Sequence, residues 1–132
     1  MTLLTPELRA ALRLAASSDG DDKRPLVKLF NPLSAATWLA SELGEDGDTL
    51  FGLADLGFGC PELGYFSLHE IEALRLPFGL RIERDLLFST TLGLSEWAAW
   101  ARKAGSILWA EALIARASAT ASGLADGFPP SG

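Results

Sequence analysis

The apolar runs 36–43 and 49–56 stand on either side of Gly44-Glu45-Asp46-Gly47-Asp48, a polar break of about the length that joins antiparallel strands. So short a break gives a chain little choice but to fold the two runs back on each other as a hairpin. The surroundings agree with this. Residues 26–30 read as a strand closed by Asn31-Pro32, since proline cannot donate to a ladder. Residues 63–66 are short and extended, and residues 80–88 alternate as a further strand. Helices punctuate these strands. Thr5-Pro6-Glu7 is a helix start, followed by Leu8, Ala11, Leu12 and Ala15 at helical spacing, and the polar stretch 17–22 ends it. Ser67-Leu68-His69-Glu70 has the form of a capping box and predicts a short helix to about Leu76. Ser95 is the expected cap of a long helix over about 96–117, with Trp97, Trp100, Ala101, Ala104, Leu108 and Ala112 as its inward stripe and Gly105-Ser106 as a kink point. The order predicts an α+β fold: a small, mostly antiparallel sheet of four to five strands packed on helices, with a long C-terminal helix. Residues 1–117 are expected to form one domain, and the Ala/Ser/Gly/Pro-rich residues 118–132 a disordered tail.

Charge is distributed unevenly along this scaffold. The net charge is −6, yet residues 29–74 contain eight carboxylates (Glu42, Glu45, Asp46, Asp48, Asp55, Glu62, Glu70 and Glu72) and no lysine or arginine. That segment repels phosphate, which argues against direct nucleic-acid binding through it, and it suits a basic protein surface or a hard cation. A solvated acidic face that serves solubility is the simpler alternative. The single cysteine, Cys60, rules out an intrachain disulfide and a four-cysteine zinc site, and the single histidine, His69, rules out paired-histidine metal motifs. With no apolar run near 18 residues and no signal-peptide pattern, the expectation is a cytoplasmic protein with no membrane contact.

Few residues form a recognisable chemical pattern. Alternation through 80–88 puts Ile82, Arg84, Leu86 and Phe88 on one face and Arg81, Glu83, Asp85 and Leu87 on the other. Arg84 is therefore expected on the core side, paired with Glu42 or Glu62 as a structural ion pair, with an anion-binding arginine in a pocket as the alternative. Removing a buried, paired Arg84 would cost about 3–5 kcal/mol. Glu83 and Asp85 point the same way and could share a divalent cation, although two carboxylates two residues apart are a weak signal. His69 reads as an exposed residue of a first helical turn rather than a general base. Gly57-Phe58-Gly59 is too short for a phosphate loop, and Cys60 has only His69 to activate it, a weak case for a nucleophile.

The blocks Lys28-Leu29-Phe30-Asn31-Pro32, Trp38 with Glu42, Phe51-Gly52-Leu53, Glu62-Leu63-Gly64-Tyr65-Phe66-Ser67-Leu68, and Ile82-Glu83-Arg84-Asp85-Leu86 with Phe88 occur in this order. In them the chain resembles a bacterial family filed as domain of unknown function 2958, whose members are small proteins common on plasmids and other mobile elements. The resemblance covers a core of about residues 2–90, leaving the helix over about 95–117 as an addition. It implies a shared fold and a bacterial cytoplasmic setting, and it brings no activity, cofactor or metal.

Two classes of function follow. The first is a non-enzymatic accessory or interaction protein with an acidic surface, acting on a nucleic-acid-binding partner. The second is a divalent-metal-dependent hydrolase or nuclease using Glu42, Glu62, Glu83 or Asp85. Arg84, Glu42, Glu62, Tyr65, Glu83, Asp85 and Trp109 are the binding candidates. Trp109 and Leu113 fall on the back of the long helix, so that helix is either wrapped on two sides by its own domain or pairs with a second copy.

Overall fold

The computed structural model describes residues 3–125. In chain order it contains α1 (Pro6–Ser17), β1 (Val27–Phe30), β2 (Thr37–Leu43), β3 (Thr49–Asp55), β4 (Glu62–Ser67), α2 (Leu68–Ala73), a 3-10 turn at Pro77–Gly79, β5 (Glu83–Arg84), α3 (Leu94–Ala104) and α4 (Ile107–Ala125). The five strands form one antiparallel sheet in the order β4-β3-β2-β1-β5, so the expected α+β class is present, C-terminal helix included. The Gly44–Asp48 hairpin pairs Leu43 with Leu50 and Leu39 with Leu53.

Helices cover both faces of the sheet, and strand alternation decides which side chain meets which layer. Val27, Leu29, Trp38, Ala40 and Leu50 pack with Leu12 of α1 and with Leu68 and Ile71 of α2. Leu39 and Leu53 point the other way, against Leu94, Trp97, Ala98 and Ala101 of α3 and Ile107 and Ala110 of α4. Covered on both sides, β2 is buried at six of its seven positions.

The helix ends show how loops and helices hold one another. Thr5 caps α1 by accepting from the Leu8 N–H, as its sequence position predicts. The far end of α1 has no basic residue in its last turn. Lys23 supplies the charge instead, donating to the Ala15 and Ser18 carbonyls while lying 3.4 Å from Glu42. Ser67 caps α2, accepting from the Glu70 N–H. Asp48, not Glu70, brings the carboxylate to that helix start: it accepts from the Ser67 hydroxyl and from the His69 N–H at 2.7 Å. The helix stops at Ala73, short of the expected Leu76.

Four expectations are corrected. The strand expected over 80–88 pairs only at Glu83 and Arg84. Asp85 then accepts from the Leu87 N–H in a tight turn, which ends the alternation and sends Ile82 and Phe88 to opposite layers. The long helix is two helices, because Gly105 is left-handed at φ 79° and reverses the chain into a helical hairpin. The break resets the phase, so Ile107 and Ala110 face inward while Leu108 and Ala112 are exposed. Ser95 is not the cap of α3; Gly93 holds that position. Helix continues from 118 to Ala125 where a disordered tail was expected, and residues 126–132 of that tail lie outside the described residues.

Candidate functional site

The sheet order decides which of the candidate residues can act together. Glu62 begins β4 and Glu83 begins β5, so the two stand on opposite edges, four strand spacings or about 19 Å apart. Glu42, on β2, is engaged by Lys23. Asp85 lies 3.4 Å from the Lys28 ammonium. The four carboxylates expected to serve a hydrolase therefore do not converge. Among the described residues no group of three His, Cys, Asp or Glu side chains is placed to hold a metal ion.

Arg84 departs from its expected role. It is half-buried, and its Nε donates to the Leu3 carbonyl at 2.9 Å; no carboxylate among the described residues pairs with it. Glu42 is two strands away from β5 and Glu62 is across the whole sheet, so neither can reach it. Its contribution is to pin the N-terminal segment, whose Leu3 N–H is held by Glu72 of α2 at 2.9 Å. A stranded buried charge is not at stake, and the cost expected for Arg84→Ala falls away.

Two surfaces remain. The first is a groove of about 450 Å³ between the turn after β5 and the start of α4, lined by Phe30, Thr37, Arg84, Leu86, Leu87 and Leu108 among others. Lys28 forms part of its floor. This lysine is buried, and its ammonium bridges Asp85 and, at 2.6 Å, Glu111 of α4. The bridge ties β1, the β5 turn and α4 together. Sequence reasoning missed it, although Lys28 between Val27 and Leu29 in an apolar strand is a visible anomaly. Trp109, which follows Leu108 in the chain, does not line the groove and is 66% exposed.

The second surface is the free edge of β4. Leu68 donates its N–H to the Asp48 carbonyl of the β3 side at 2.9 Å. Antiparallel alternation then turns the N–H and C=O groups of Gly64 and Phe66 toward β3, and those of Leu63 and Tyr65 outward, away from the sheet. The Leu63 and Tyr65 side chains stand on the α3 side of the sheet. Tyr65 is 76% exposed and its ring rests against Phe51 at a centroid distance of 5.0 Å. Between Glu62 and Ser67 the strand has no charge and no proline, the usual guards of an edge. Glu62 and Glu70, one at each end, are exposed.

Near the same end of the sheet, His69 Nδ1 lies 2.6 Å from Asp48 Oδ1. The His69 backbone N–H, followed by the Ser67 hydroxyl, holds the Asp48 carboxyl below its ordinary range. The imidazole contacts the aspartate and not the Ser67 hydroxyl, so these three residues form a helix cap rather than a nucleophile with its base. His69 is exposed, as expected. Cys60 is exposed too, with its thiol 3.6 Å from the Phe58 carbonyl.

The model of a family described as a protein of unknown function, DUF2958, matches residues 3–108. The chain belongs to the DUF2958 family. The DUF2958 match takes in the whole sheet and α3, reaching past the core of about 2–90 to the first turn of α4. No curated protein and no solved structure matches the chain. No helix among the described residues is long and apolar enough to cross a membrane.

Proposed function

We propose that this DUF2958 protein is a non-enzymatic interaction protein that engages a basic, extended segment of a partner along the edge of β4. The observation that carries this reading is the unguarded edge itself: outward N–H and C=O groups at Leu63 and Tyr65, with exposed side chains that the core does not use. A segment added there continues the sheet through main-chain hydrogen bonds, and alternate side chains read Leu63 and Tyr65. Charge supports a basic partner, since no lysine or arginine occurs from 29 to 74 and Glu62 and Glu70 flank the strand. Proteins that bind nucleic acid carry such basic segments, and an acidic edge competes with phosphate for them.

The test is capture by the immobilised full chain from a bacterial lysate, comparing the wild type with Tyr65→Pro and with the pair Glu62→Lys, Glu70→Lys. Proline at 65 removes an outward N–H and leaves the ladder to β3 intact, which circular dichroism verifies. The expected result is a basic protein retained by the wild type, released by salt, and lost with both variants. Retention that survives both variants refutes the reading. A rise in melting temperature on adding Mg²⁺ or Mn²⁺, abolished by Asp85→Asn, would point instead to a metal-dependent enzyme.

A further inference from the structure

α4 is apolar on more than one side. At 100° per residue, Ile107, Ala110 and Ile114 form the face that meets the sheet and α3, and Glu111 reaches Lys28 beside them. Leu108, Trp109, Ala112 and Leu113 form the opposite face, with Arg116 in line two turns after Trp109. All five are exposed: Trp109 66%, Leu113 42% and Leu108 40%, with Ala112 and Arg116 also open to solvent. From Ala115 to Thr120 every residue of the helix is exposed, though Ala115 and Ser118 border the pocket formed with Phe88, Leu92 and Trp97. A helix that is apolar all round is ordinarily a covered one, and an isolated helix of this length is marginal in water.

We infer that the outer face of α4 is covered by α4 of a second copy, in an antiparallel, two-fold pair. This rests on a different observation from the β4 edge and stands or falls separately. The face is complementary to itself in one register. With the two-fold axis between Ala112 and Leu113, Trp109 of each copy lies opposite Arg116 of the other, and Ala112 lies opposite Leu113. Each large side chain then meets a small one or a cation: a guanidinium over an indole face, and a leucine into the space an alanine leaves. Apart from Arg116, which lies opposite an uncharged indole, the facing positions carry no charge, so the pairing sets no like charges against each other. The apolar surface also continues across the groove, where Leu108 shares a wall with Leu86 and Leu87, which are 75% and 92% exposed. Leu86, Leu87, Leu108, Trp109 and Leu113 together give each copy five exposed large apolar side chains for this contact. A heterologous contact would leave the Trp109–Arg116 register without its reciprocal half.

Sedimentation velocity of the full chain from about 1 to 500 µM tests this. The wild type should sediment as a dimer at the upper concentrations and dissociate on dilution. Trp109→Ser and Ala112→Glu should each sediment as monomers throughout. Both substitutions fall on exposed positions, so the melting temperature of dilute protein should not change. Arg116→Glu should weaken the dimer several-fold, and Tyr65→Pro should leave it intact. A wild type that stays monomeric over the whole range overturns the proposal. So does a dimer that survives both Trp109→Ser and Ala112→Glu, or one that Tyr65→Pro abolishes, which would place the contact at the β4 edge.

Discussion

Asp55 ends β3 fully buried, and its two oxygens serve two different loops. One accepts from the Gly57 N–H at 2.9 Å, which turns the chain after the strand, and the other from the Ile107 N–H at 2.9 Å, which caps α4 from 52 residues away. Asp55→Ala leaves both donors without partners in a buried setting and should cost about 2–3 kcal/mol, read by urea denaturation. A loss under 0.5 kcal/mol would mean that water replaces the carboxylate. Asp46 does comparable work in the open. It binds the Thr49 hydroxyl at 2.6 Å and the N–H groups of Thr49 and Asp48 at 2.9 Å, and these bonds, the hydroxyl first, lower its pKa to about 2. The folded pKa lies below the ordinary value of 3.8, so the associated stability is complete above that value and is lost as the pH falls toward 2. Melting curves between pH 4.5 and 2 should therefore fall more steeply for the wild type than for Asp46→Asn, and parallel curves would remove Asp46 from the account.

At the scale of elements, α3 owes its start to a residue far away in sequence. Asp22, in the loop before β1, accepts from the Ser95 N–H at 2.9 Å and from the Ser95 hydroxyl at 2.7 Å, and these bonds lower its pKa. Gly93 makes room for it, because a Cβ there would lie 2.2 Å from an Asp22 oxygen. Asp22→Ala and Gly93→Ala should thus remove the same cap, each at about 1 kcal/mol, and the double variant should cost little more than either alone. Additive losses in that cycle would mean that the two residues act separately. The same long-range logic governs α4, which takes its first N–H partner from β3 and its anchoring cation from β1.

In the molecule as a whole, protection from solvent should follow the layering. β2 and β3 are hydrogen-bonded on both edges and covered on both faces, so their amides should exchange slowest with deuterated water. Along β4 the pattern should alternate, slow at Gly64 and Phe66 and fast at Leu63 and Tyr65. Nuclear magnetic resonance resolves these four amides one by one. Slow exchange at Leu63 and Tyr65 in the isolated protein would mean that the edge is already covered. The fold itself sets this pattern, because a five-stranded sheet with helices on both faces leaves edge backbone only at β4 and at the two-residue β5.

Local chemistry was enough to place α1, the hairpin of β2 and β3, and the start of α2. Their signals are contained in a few neighbouring residues: Thr5-Pro6-Glu7, the Gly44–Asp48 break, and Ser67 three residues before Glu70. The family block Glu62–Leu68 was legible as well, though not its position at an open edge. The pairing of Arg84 and the fate of the eight carboxylates were not legible. Strand order put Arg84 out of reach of Glu42 and Glu62, while Lys23, Ser67 and the N–H groups of Gly57, Leu3 and Ile107 claimed acids that looked like surface charge. Only the tertiary structure decided these, because a carboxylate's partner is set by which strands become neighbours, and that depends on packing both faces of the sheet at once. The break at Gly105 lies between the two cases. The glycine marked the place and Ser106 caps the second helix locally through the Trp109 N–H, while the Asp55 carboxylate that accepts from Ile107 was supplied only by the fold.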